Sequence, residues 1–572
     1  MKRSRFTQLL AFMASVALAG AVCAQESAQV TEANATPDKA NRAGKSLAYW
    51  KFADGFGAVA TDSGPNAYNG TLVNFQSTAA DQGLLSGTSG WSSEQRLDFN
   101  GGADVVATSL PLTRLANSSF TLEAYVTHND ANQTWSPIFG DSATADGPQI
   151  FFVGKNNGNG AMNVNLSGLG GFTVNVPDLT DGRVHHIAVV YNAGAKTLAL
   201  YYDGSNIFTQ SGVTGKLTTT TNLMIGGDGR HSDERWNGFI SNVRVTLAAL
   251  KPSQFLSVPY PVKNLIIDTD LSSDVDDCGM LAISNQFANN GEARILGVMI
   301  NDGDPWTPAC ASAIMTYYGR PDVPIGVGRN LPLNTTSPYT QQVAQSFPNR
   351  IVKNSNPPNN AKLPEAVALY RQILAAQPDH SVVIVSTGAL TNIGRLLMSG
   401  PDQYSPLNGV DLVNQKVSYG AIMGGIYPQS SVPAFDFAEF NFTSDAPSTT
   451  EVINNFPRPL VFDGFEIGVN ILTGSTLIDP QTNPIALAYQ LYVGAGNNRN
   501  SWDPSCAFTA VRGLAGVWKA QTGGSLTITD AQADDLWVTS PVKNQLYLVQ
   551  YVDPSVVAAT FEQLITAPPA KH

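Results

Sequence analysis

Positive charge is scarce in this chain. Its 572 residues hold 33 Lys+Arg against 45 Asp+Glu, with only 6 His, a formal net charge of −12. Nucleic acid and anionic membrane surfaces need the opposite sign, so neither is expected as a partner. Cysteine is nearly absent too: four residues do not make a disulfide framework. Past the N-terminus no segment approaches the roughly 20 apolar residues needed to span a bilayer. Charged residues of either sign are few (14%), while Gly is abundant (51), a balance that suits an exported protein. What is plentiful is length, which exceeds one ordinary core and predicts two or more domains.

The first residues read as a leader. Lys2, Arg3 and Arg5 precede an apolar run from Leu9 to Val22, and Val22-Cys23-Ala24 before Gln25 resembles a small-residue cleavage site. Lipid attachment at Cys23 is disfavoured by Val22, where a small residue is wanted. Without residues 1–24, which hold three basic residues and no acid, Lys+Arg is 30 against 45 Asp+Glu, a net charge of −15. A secreted or periplasmic location is expected. Residues 25–46 are polar and aperiodic, a flexible lead-in.

From Leu47 to Leu250 short alternating runs are separated by Gly/Asn/Asp turns, as in 119–126, 186–191 and 197–204. No helical stretch interrupts them, which predicts an all-β sandwich. Tyr49-Trp50-Lys51-Phe52, Asp62-Ser63-Gly64, Gly70-Thr71-Leu72, His185 to Tyr191, Tyr202-Asp203-Gly204, Ile225-Gly226-Gly227 and Phe239 to Val245 together resemble the laminin-G-like, concanavalin A-like jelly rolls. That resemblance implies a fold and leaves the ligand open: a glycan, a protein, or none.

Residues 251–263, with Pro252, Pro259 and Pro261, form a stiff connector. The pattern then changes. Apolar runs at 265–267, 295–300, 381–385, 417–423 and 459–462 alternate with helical periods around 280–288 and 390–397. Buried runs alternating with helices predict an α/β domain over 264–570 with a mostly parallel sheet. Sites in such sheets lie at the carboxyl ends of the strands.

There the first run ends in Asp268-Thr269-Asp270-Leu271-Ser272-Ser273-Asp274-Val275-Asp276-Asp277. Five carboxylates in ten residues repel one another unless a cation or shared protons relieve them. Oxygen ligands of this kind suit a hard cation, with a carboxylate left over for chemistry. An EF-hand loop does not fit, since Ser273 stands at its glycine position and Gly279 at its glutamate position. A strand-end Asp-x-Asp also opens haloacid dehalogenase-type phosphatases, but that reading wants Thr or Val at Ser272 and leaves Asp276-Asp277 unexplained.

Six pieces in order, Asp268-Thr269-Asp270 with Asp276-Asp277, Asn301, Leu390-Thr391-Asn392, Met423-Gly424-Gly425, Glu439-Phe440-Asn441 and Asp503-Pro504, resemble the nucleoside hydrolase family of Ca²⁺-dependent N-ribosyl hydrolases. The resemblance implies that Asp270, Asp277, Asp503 and the backbone carbonyl of Thr391 hold Ca²⁺. It implies Asp276 as general base for a metal-bound water, and Asn301, Met423, Glu439 and Asn441 as the ribose site. The acidic turn is two residues longer than the family's form, so Asp274 competes with Asp270 as metal ligand. Trp502 stands where the family often has a leaving-group His. Trp502 and Trp306 could stack on a purine or simply pack. Glu466 and Asp304 are the acids that could replace that His, and Glu466 could equally serve the core.

Cys278, Cys310 and Cys506 are read as buried thiols, with a Cys278–Cys310 bridge as the alternative in an oxidising compartment. Without His at ligand spacing, zinc is not expected. The expected function is Ca²⁺-dependent hydrolysis of nucleosides. The rivals are a non-catalytic secreted protein that binds sugar and Ca²⁺, and a hydrolase of another ribosyl or glycosyl compound.

Overall fold

A computed structural model describes residues 46–570 except 77–88, 93–95, 131–132, 145–150, 157–159, 178, 258–261, 352–354, 430–436 and 516. The segments read as a leader and a lead-in, up to residue 45, lie outside them. Among the described residues no helix is long and apolar enough to cross a membrane.

The N-terminal domain is the expected sandwich. Two eight-stranded sheets pack face to face, and every strand pair is antiparallel. Alternation sets the faces: in Phe120–Val126, Phe120, Leu122, Ala124 and Val126 point into the core with Trp50, Trp91, Phe99 and Trp236. The Trp236 indole satisfies its N–H on the Thr127 carbonyl at 2.9 Å. On the outer face, buried Glu123 accepts from His186 (2.9 Å), Arg244 and the Leu256 amide (2.8 Å), which docks the connector onto the sheet.

The C-terminal domain is built on an eight-stranded sheet. Its order is Ile325–Val327, Ala293–Ile300, Lys263–Thr269, Val382–Thr387, Val417–Met423, Leu460–Asp463, Gln545–Gln550, Trp518–Gln521. Only the last pair is antiparallel. The chain moves outward from Lys263–Thr269 in one direction, then returns to place Val382–Thr387 on its other side. The carboxyl ends of these two strands therefore flank the point where strand order reverses, where an open sheet leaves a crevice. Each of the five apolar runs read from sequence is a strand here.

The two domains meet away from that crevice. The helix Trp502–Arg512 begins at the crevice with Asp503 and ends at Arg512, which pairs with Glu292 (2.8 Å) and reaches the Asp181 carbonyl of the sandwich (3.5 Å). Eleven helical residues span about 16 Å. Tyr551 Oη donates to Asp130 of the sandwich at 2.6 Å. A Cβ on Gly182 would come within 2.5 Å of Ala515 Cβ, so this close approach of the domains needs glycine.

Candidate active site

Two helices aim their first turns at the crevice. Asp276–Asn289 opens with Asp276 and Asp277, and Trp502–Arg512 carries Asp503 in its first turn. Free amides at a helix start favour negative charge. Gly279 lets the helices approach: a Cβ there would lie 2.5 Å from Tyr489 Oη and 3.4 Å from Pro504. The Asp503 amide donates to Asp276 Oδ2 at 3.1 Å. One carboxylate oxygen from each of Asp276, Asp277 and Asp503 lies within 4.8 Å of the other two.

This is an unfavourable arrangement for the bare carboxylates. Burial pushes Asp270, Asp276, Asp277 and Asp503 well above the usual carboxylate range, and repulsion from neighbouring carboxylates pushes them further. Asp277 Oδ1 accepts from Thr269 Oγ1 and from Thr387 Oγ1 (3.2 Å), but buried Asp277 Oδ2 and Asp270 Oδ2 have no hydrogen-bond partner. Unpartnered buried carboxylate oxygens beside further carboxylates form the donor set of a hard cation. The residues present fit a metal ion.

An open cleft of about 690 Å³, solvent at its mouth included, is lined by Asp270, Asp274, Asp276, Asp277, Met423, Glu439, Asn441, Trp502 and Asp503 from among the residues expected. Glu439 caps the helix Phe440–Ser444, accepting from the amides of Asn441 (2.9 Å) and Phe442 (3.0 Å), and burial raises it to about 7. Asn441 Nδ2 donates to the Met423 carbonyl at 3.2 Å. Asn301 stands just behind the cleft. A Cβ on Gly388 would be 2.6 Å from Asn301 Oδ1 and 2.8 Å from Asp270 Oδ1, so Asn301 and Asp270 converge on a gap that only glycine leaves. Asn301 is held by Asp268, which also takes Tyr370 Oη (2.8 Å) and Asn392 (3.2 Å); burial raises Asp268 to about 7.

The structure places several of the expected residues in other company. Both oxygens of Asp274 are taken by the Arg499 guanidinium, with Nε at 2.9 and 3.0 Å. Asp270, with its free oxygen, is the better candidate. Thr391 lies off the cleft at the start of its helix, its hydroxyl on Asp445 at 2.6 Å, and Thr387 occupies the cleft wall instead. Trp306 precedes the helix Thr307–Tyr317 and does not line the cleft; its amide donates to Asp304, whose other oxygen takes Thr340 Oγ1 at 2.7 Å. Asp304 is thus committed to its loop. Glu466 is also off the cleft, with Oε2 on the Tyr427 amide at 3.1 Å. Trp502 does line the cleft, but its ring is stacked on Phe465 (5.1 Å) and lies under Arg499 (5.1 Å). All three described cysteines are buried free thiols, so no Cys278–Cys310 bridge is formed.

Ser273, Thr387, Phe440, Phe465 and Arg499 also line the cleft, and none of them was given a role from sequence. A further missed element lies behind it. The consecutive amides of Gly425, Ile426 and Tyr427 donate to Glu439 (3.2 Å), Asp535 (3.1 Å) and Glu466 (3.1 Å). Asp535 belongs to the hairpin Ser525–Ile528/Asp535–Val538, which also bonds the Pro428 carbonyl through the Trp537 amide (2.7 Å). This hairpin fixes the loop that follows Met423.

Comparison with known proteins agrees with this geometry. Residues 265–513 match the family described as inosine-uridine preferring nucleoside hydrolase, and residues 100–254 match the concanavalin A-like lectin/glucanases superfamily. The C-terminal domain belongs to the nucleoside hydrolase family, and the protein is a hydrolase. Among solved structures, a plant nucleoside hydrolase (PpNRh1) is 17% identical, covering 54% of this chain and 100% of its own, with a TM-score of 0.42. An inosine-guanosine nucleoside hydrolase is 18% identical over 54% of this chain and 100% of its own, with a TM-score of 0.40. A Trypanosoma rangeli sialidase is 17% identical over 36% of this chain and 31% of its own, with a TM-score of 0.27. With scores this low, the assignment rests on the family match. No curated protein matches the chain.

Proposed function

We propose that this protein is an exported, Ca²⁺-dependent hydrolase that cleaves the N-ribosidic bond of nucleosides. The observation that carries this is the convergence of Asp270, Asp276, Asp277 and Asp503 at the strand-order reversal, with two buried carboxylate oxygens left without partners. Export is supported by the basic and then apolar residues 2–22.

Asp270, Asp277 and Asp503 would hold Ca²⁺. When bound, the ion supplies positive charge that keeps these carboxylates ionised and orients the ribose diol. Asp276, whose Oδ2 is fixed by the Asp503 amide, takes the proton of the attacking water on its other oxygen. Glu439 and Asn441 bind ribose hydroxyls from the opposite wall, with Met423 against the sugar and Asn301 supporting from behind. As the C1′–N bond breaks, positive charge develops on the ribose, and a carboxylate-lined cleft stabilises it.

The test is ribose release from purine and pyrimidine nucleosides by residues 25–572, with Ca²⁺ and again after chelation. Release that stops on chelation and returns with Ca²⁺ supports the proposal. Release unaffected by chelation would remove the metal from it, and no release from any nucleoside while Ca²⁺ is bound would remove the substrate.

A further inference from the structure

Departure of the base is the step to which no residue of the cleft is assigned above. Trp502 replaces the residue that would serve, and Asp304 and Glu466 both lie off the cleft. Arg499 does line it, and it is the one cationic side chain among the described lining residues, against Asp270, Asp274, Asp276, Asp277, Asp503 and Glu439. It stands on the short strand Arg499–Asn500, anchored to Leu472–Thr473. Its guanidinium is gripped on one side: Nε meets both Asp274 oxygens at 2.9 and 3.0 Å, and Nη2 meets Asp274 Oδ2. Trp502 lies beneath it, 5.1 Å from the ring centroid. Nη1 is engaged only loosely, with Asn500 Oδ1 at 3.4 Å. A guanidinium has five N–H donors in a fixed fork, so the Nη1 side keeps donor capacity. Asp274, which orients this fork, sits on the enlarged part of the acidic turn.

We propose that Arg499, oriented by Asp274, is the leaving-group residue of this enzyme and acts by charge rather than by proton transfer. This rests on the nucleoside reading above. When the C1′–N bond breaks, its electron pair stays on the base nitrogen and the base departs as an anion. An Nη1–H donates a hydrogen bond to that anion and keeps its proton, since a guanidinium is not deprotonated in a protein. Water forms the new C1′–O bond and gives its proton to Asp276. The base anion then takes a proton from solvent and Asp276 returns one to it, so nucleoside and water become ribose and base. A charge-assisted donor placed where negative charge develops replaces a general acid.

The experiment compares two substrates in the Ca²⁺-loaded full chain: inosine, with a poor leaving group, and p-nitrophenyl β-D-ribofuranoside, whose phenolate departs unaided. In Arg499→Gln, inosine turnover falls by about 100-fold, the loss typical of one such donor, while turnover of the nitrophenyl riboside falls far less. The ratio of the two rates therefore shifts by at least about tenfold. Arg499→Lys, which keeps the charge without the fork, gives an intermediate ratio, and Asp274→Asn shifts the ratio in the same direction by less. Equal losses on both substrates would overturn the proposal, because they would assign Arg499 to the fold or the ribose. Unchanged inosine turnover would overturn it as well. If the unmodified enzyme cleaves neither substrate, the nucleoside reading itself fails, a result distinct from an unshifted ratio.

Discussion

Replacing Asp277 by Asn should make the metal-free protein more stable while abolishing its response to the metal. Asp277 Oδ1 accepts from Thr269 and Thr387, and an Asn oxygen can do the same. Its Oδ2 has no partner, and the residue clusters with the carboxylates of Asp276 and Asp503. An amide NH₂ at that position becomes a donor facing acceptors. Two unit charges within 4.8 Å of each other repel by about 3.5 kcal/mol or more at an effective dielectric of about 20. Proton uptake relieves part of that repulsion, at about 1.36 kcal/mol per pKa unit. Net relief of about 1–3 kcal/mol is reasonable, or roughly 2–6 °C in Tm for a domain of this size. Ca²⁺ at 100 times its Kd adds about 2.7 kcal/mol to the unmodified protein. The assay is thermal unfolding of the full chain, following the transition that responds to Ca²⁺. Expected are a higher Tm for the variant in chelator and no further rise with Ca²⁺. A variant less stable than its parent in chelator, or one that keeps the full Ca²⁺ shift, would refute the reasoning.

Other outcomes follow from the same geometry. Burial raises Glu466 to about 7 and Asp535 to about 8, above their values in an unfolded chain. The native state then holds protons that the unfolded state releases, so the stability these two groups contribute is fully present below about pH 4, falls as pH rises toward 8, and levels off above. Asp535→Asn, which keeps an acceptor for the Ile426 amide, should flatten that slope in pH-dependent thermal melts; an unchanged slope would count against it. Gly388→Ala drives a methyl to within 2.6 Å of Asn301 Oδ1 and 2.8 Å of Asp270 Oδ1, and displacing either group should lower kcat/KM by about 100-fold. Thiol titration of folded residues 25–572 should find no reactive cysteine until denaturant is added, because Cys278, Cys310 and Cys506 are all buried.

Much of this site was legible because its chemistry is local in sequence. The acidic turn follows an apolar run directly, and Asp276-Asp277 open a helix whose period is visible. Met423, Glu439, Asn441 and Asp503 were picked out by the family motifs that contain them, and all four line the cleft. What escaped depends on partners far along the chain. Asp274 looks like a ligand until Arg499, 225 residues on, closes over it. Thr387 and Thr391 flank one strand end, and only the backbone path shows that the first faces Asp277 while the second caps toward Asp445. Trp306 and Glu466 sit in the right loops but turn away from the cleft. The hairpin bearing Asp535 comes from residues past the family match, where short two-strand alternation gives no functional signal.

The most direct single measurement is reducing-sugar release from inosine by the Ca²⁺-loaded full chain and by its Asp276→Asn variant, with inosine binding measured on both. The account predicts turnover in the unmodified protein, and a loss of at least about 100-fold in the variant with binding retained. Turnover that survives Asp276→Asn would contradict it, as would tight Ca²⁺ and inosine binding with no turnover in the unmodified protein.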